Sequence, residues 1–91
     1  MNNREKLDLM DKILRQLDDL KNSQTSVLKK VAQIEVDNIE LGNKLLEEKI
    51  PDVFAEMDDA VEKMDALFQE FTEVRDKFAK DNKLEEPDSA G

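Results

Sequence analysis

Ninety-one residues make one small domain, and 38% apolar against 41% charged residues, with Phe the only aromatic, is thin material for a compact single-copy core. His and Cys are both missing, which excludes disulfides, thiolate chemistry, the usual zinc ligands and imidazole acid–base work. The net charge of −9 is lopsided: residues 1–50 carry nine Lys/Arg against ten Asp/Glu and residues 51–91 five against thirteen, so the second half repels phosphate backbones and direct nucleic-acid binding is not expected.

The N-terminal residues lack a signal peptide's apolar stretch, and nowhere do about 18 apolar residues run together, so the expectation is an intracellular, cytoplasmic protein that does not enter membranes. From Met10 to Leu45 the apolar residues recur at alternating steps of three and four. In heptad terms position a holds Met10, Leu17, Gln24, Val31, Asn38 and Leu45, and position d holds Ile13, Leu20, Val27, Ile34 and Leu41; Leu7, Leu14 and Leu28 widen the stripe at position e. A strand would need alternation by two, so this is a helical seam, predicted over about residues 3–49. Gln24 and Asn38 are polar at seam positions, where such side chains fix register and oligomer state. The run Asn22 to Ser26 is rich in cap- and turn-forming residues. Continuity through it gives a long helix, the favoured reading; a break there gives a three-helix bundle. Gly42, inside the predicted helix, costs about 1 kcal/mol relative to Ala and leaves room for another backbone to approach.

Lys49-Ile50-Pro51-Asp52 follows. Proline cannot donate a helix hydrogen bond and disfavours helix before it, while Pro51 and Asp52 together suit a helix's first turn. A break here, with a second helix over about 51–81, is favoured over a kinked rod. Its seam has Phe54, Val61 and Phe68 at position a, Met57, Met64, Phe71 and Phe78 at d, and Val53, Ala60, Leu67 and Val74 at g. Read backwards, that phase collects Ile50, Leu46, Ile39 and Val36, which makes 36–46 apolar on two nearly opposite faces and asks for at least three helices in cross-section. Lys77 and Lys80 suit a helix C-terminus near residues 80–83. The whole of 1–83 reads as one helical coiled-coil domain, and 84–91 as a disordered acidic tail.

Nothing in the chain assembles a catalytic constellation. There is no Gly-rich phosphate loop, since the only glycines are Gly42 and Gly91, and carboxylates adjacent in sequence, such as Asp58 and Asp59, point about 100° apart on a helix. Asp58 or Asp59 with Glu62 can face one side and hold a cation, but a solvated face is the simpler reading; no metal, cofactor or catalytic residue is expected. The Phe and Met stripe of the second helix is either core or a groove that receives a partner helix. The expected fold is therefore all-α, two long amphipathic helices in an oligomeric coiled coil or bundle. The expected role is a non-enzymatic structural or adaptor subunit that binds its own copies or another helical protein. The alternative is a small acidic inhibitor that mimics nucleic acid and blocks a nucleic-acid-binding protein.

Overall fold

The computed structural model describes residues 1–84, a hairpin of two antiparallel helices, α1 (Asn3–Leu41) and α2 (Lys44–Asp81). At about 1.5 Å per residue both helices are just under 60 Å long, and the molecule measures 63 × 20 × 19 Å. No helix among the described residues is long and apolar enough to cross a membrane. The acidic tail expected over 84–91 lies outside the described residues apart from Leu84.

α1 starts on a reciprocal cap. The Asn2 side chain accepts from the Glu5 backbone N–H at 2.8 Å, and the Glu5 carboxylate accepts from the Asn2 N–H at 3.1 Å, so two orphan donors of the first turn are satisfied. The helix runs unbroken through Asn22 to Ser26, where Thr25 turns its hydroxyl back onto the Lys21 carbonyl at 2.9 Å. Packing overrides poor propensity there, and the three-helix alternative is not what forms.

The helices part at Gly42 and Asn43, not at Pro51, so the predicted bounds 3–49 and 51–81 shift to 3–41 and 44–81. Gly42 takes the left-handed conformation (φ 68°, ψ 31°) and donates its N–H to the Asn38 carbonyl at 2.7 Å, an ordinary glycine helix stop. Asn43 caps the next helix by accepting from the Leu46 N–H at 3.1 Å. A stop and a start back to back outweigh one proline. The space around Gly42 is open, so its role is the positive φ and not the close backbone approach expected from sequence. Pro51 is carried inside α2; the Glu47 carbonyl it leaves unpaired is on an exposed residue where water can replace the missing donor.

Asn38 locks this turn. It is buried, its amide donates to the Asn43 carbonyl at 3.1 Å, and its oxygen accepts from the Asn43 N–H at 3.0 Å. The seam polarity expected to set oligomer state is thus engaged within the chain. At the other pole Lys83 adopts a left-handed φ of 57°, and Leu84 and Lys83 donate back to the Ala79 and Lys80 carbonyls, closing α2. Asn3 donates to Asn82 at 2.8 Å, which ties the two ends of the hairpin together.

Asn38→Ala removes two hydrogen bonds from buried groups and should lower unfolding stability by about 1–3 kcal/mol in urea titration followed by circular dichroism. A variant that unfolds with the wild type would mean that Gly42 alone holds the turn. Pro51→Ala should act oppositely, raising stability by about 1–3 kcal/mol because it restores a helix hydrogen bond and removes a ring clash. A loss on that change would place the proline at a bend the hairpin needs.

Candidate interaction surface

With Asn38 turned inward, every position seven residues before it also faces α2: Val31, Gln24, Leu17 and Met10 lie buried or half-buried. The second inward row is Leu7, Leu14, Lys21, Leu28 and Glu35. α1 therefore packs on α2 with positions a and e of the sequence heptad, and its d row is displaced to one side. α2 packs as expected: Phe54, Met57, Val61, Met64, Phe68, Phe71 and Phe78 are all half-buried against α1. The Phe and Met stripe is core in this hairpin. Lys21 breaks the apolar run of α1 at little cost, because its ammonium sits 5.4 Å from the Phe68 ring centre and 3.3 Å from an Asp65 carboxylate oxygen.

The two flanks of the hairpin differ in chemistry. One is polar and clasped. Arg75 Nε donates to Asp11 Oδ1 at 2.7 Å and its Nη2 to Oδ2 at 3.4 Å, a two-pronged contact, and Lys21 reaches Asp65. The hydrogen bond it donates to Asp11 pushes the Arg75 guanidinium further above its usual range, aided by Asp76 and opposed by partial burial. The other flank is apolar. The register of those clasps sets Ile13 across from Val74, Leu20 across from Leu67, Val27 across from Ala60 and Ile34 across from Val53. In an antiparallel pair these two rows face the same side. Leu20 and Ile34 remain 43% exposed, and Leu67 and Val74 52%, in a hairpin whose buried apolar residues, among those described, are only Leu7, Val31 and Ala79.

A further apolar set crowds the turn. Val36, Ile39, Leu41 and Leu45 are exposed, Ile39 by 81%. The expectation that 36–46 forms one helix sandwiched on two faces is corrected here: the segment is divided at Gly42, each apolar phase passes from α1 to α2 across the turn, and Val36, Ile39, Leu41 and Leu45 are not covered by this chain. Leu46 and Ile50 belong to the α2 seam and are half-buried.

No protein-family model matches the chain, and neither a curated protein nor a solved structure matches it. Asp59 is held by Lys63 at 3.0 Å, and among the described residues no three carboxylates converge on one point. The sequence placed the α2 seam correctly, whereas the clasp of Asp11, Lys21, Asp65 and Arg75 was missed. The signal was present, since Arg75 falls in register with Phe54, Val61 and Phe68, the one cation at a seam position of α2.

A double-mutant cycle on Asp11→Ala and Arg75→Ala should return a coupling of about 1 kcal/mol, the upper end for partly exposed pairs and fitting a two-pronged contact. Strict additivity of the two single changes would show that the clasp contributes nothing to the register.

Proposed function

We propose that this chain is a non-catalytic interaction module, a small coiled-coil structural or adaptor subunit that works by laying its apolar flank against further helices. The observation that carries the reading is the pair of facing rows, Leu20, Val27 and Ile34 on α1 with Val53, Leu67 and Val74 on α2, half open to water along the middle of the rod. Contiguous exposed apolar surface of this kind marks a contact site in an otherwise charged protein. The occupant it suits is an α-helix, because the groove between two parallel ridges accepts apolar residues at steps of three and four. The cysteine-free sequence fits a reducing compartment such as the cytoplasm.

A second reading has its own support. Asp52, Asp58, Asp59, Glu62, Glu73 and Asp76 all project from the exposed surface of α2, a carboxylate array that suits an acidic mimic of nucleic acid. Such a mimic would hold its target through charge, so the complex would dissolve in salt and ignore changes on the apolar flank.

The combined variant Leu20→Gln, Val27→Gln and Ile34→Gln separates the two. Glutamine is a good helix former, and these positions are outside the seam, so helicity should persist with each change altering hairpin stability by no more than about 0.5 kcal/mol. Sedimentation of the chain in extract of its native cells should fall to that of the monomer. Unchanged sedimentation, with the complex lost in high salt, would overturn the adaptor reading in favour of mimicry.

A further inference from the structure

We propose that the occupant of the apolar flank is a second copy of this chain, turned end for end, so that two hairpins close into an antiparallel four-helix bundle with α2 beside α2. This rests on the reading of the flank as a helix-binding surface. Three observations select the occupant.

The first is area. The flank's two rows run from Ile13 to Ile34 and from Val53 to Val74, about 32 Å at the rise of an α-helix, across a hairpin 20 Å wide, which gives roughly 600 Å² on each copy. Two copies together bury about 1,200 Å², the size at which stable protein interfaces begin. A single added helix would cover less of the two ridges.

The second is charge. α2 lies in the acidic half of the molecule, yet the row bordering its apolar ridge on the outer side reads Lys49, Glu56, Lys63, Glu70, Lys77, all exposed. Signs alternate at every heptad, which puts three of the helix's lysines in one line while its carboxylates crowd the remaining surface. An alternating row is its own complement when reversed and offset by one heptad. Lys49 then meets Glu70 of the second copy and Glu56 meets Lys63, and symmetry repeats both contacts, giving four opposite-charge pairs. Rim pairs of this kind set partner and orientation in helical bundles. Lys63 and Lys77 now hold Asp59 and Asp81 of their own helix at 3.0 Å. Those exposed contacts are each worth only about 0.3–0.5 kcal/mol and exchange readily.

The third is shape. The offset that pairs the charges centres the twofold axis beside Val27 and Ala60, near the middle of the apolar flank. Ala60 is the smallest residue of either ridge, so the backbones approach most closely where the two copies cross. Along α1 the same alignment brings Lys30 near Ser23 of the second copy and Asp37 near Gln16, opposing no like charges.

The arrangement predicts that light scattering returns twice the 10.5 kDa chain mass at micromolar concentration. Two rim variants test the orientation: Lys49→Glu and Lys63→Glu in one, Glu56→Lys and Glu70→Lys in the other. Each alone should dissociate about tenfold to a hundredfold more readily, because four pairs become repulsions, and an equimolar mixture should recover a mixed dimer. Variants that dimerise as the wild type does, or a mixture that gains nothing over its components, would overturn the α2-to-α2 pairing. A photoreactive phenylalanine at Val27, activated in native cells, separates this proposal from the reading beneath it. Adducts between two copies support the dimer. Adducts with a different protein overturn self-pairing while the flank keeps its role, and no adduct at all overturns both.

Discussion

One buried amide decides which way α1 faces. Asn38 spends both ends of its side chain on the Asn43 backbone, so it must point inward at the turn. A helix is rigid about its axis, and that orientation propagates at steps of seven and three back to Leu7. The consequence is a hairpin whose first helix is rotated by about one heptad position from the face its apolar residues alone would choose. Ile13, Leu20, Val27 and Ile34 are carried out to the side, and the clasped pairs of Asp11 with Arg75 and Lys21 with Asp65 occupy the opposite one.

A two-helix layer hides one stripe per helix and no more. Both helices here carry a third apolar row, and antiparallel geometry brings those rows together on a common flank instead of scattering them. The buried core left to the isolated hairpin is correspondingly small, with much of the seam only half covered. Chains of this size usually need something beyond a single core to be stable. This one has neither cysteine nor histidine, so no disulfide and no usual zinc ligand adds to its core.

The helices themselves were plain in the sequence, because nine of eleven a and d positions in the first seam are apolar and the d row of the second, Met57, Met64, Phe71 and Phe78, is unbroken. The α2 seam was legible for the same reason: its apolar residues are bulky and the row contains few rivals. The turn was misplaced because proline is the louder signal. Gly42 followed by Asn43 is the stronger device, since each satisfies helix-end groups that a proline only interrupts. The phase of α1 was legible only in part: the a row of Met10, Leu17 and Val31 does face α2, but its companion is the e row and not the d row, and Ile13 and Leu14 are equally good core residues. Only the closing of the turn through Asn38 chooses among them, a contact between residues that the continuous-helix reading had placed a turn apart on one rod.

The bond between Asn3 and Asn82 has a mechanical consequence. It places the first turn of α1 and the last turn of α2 at the same pole, with the Gly42 bend roughly 60 Å away, by the rise per residue of an α-helix. Tension applied through the two ends would peel the helices apart like a zipper, one heptad layer after another, instead of shearing all layers at once. Resistance to pulling would be low and stepwise. The Asn38 lock, at the far pole, would be the last contact to let go.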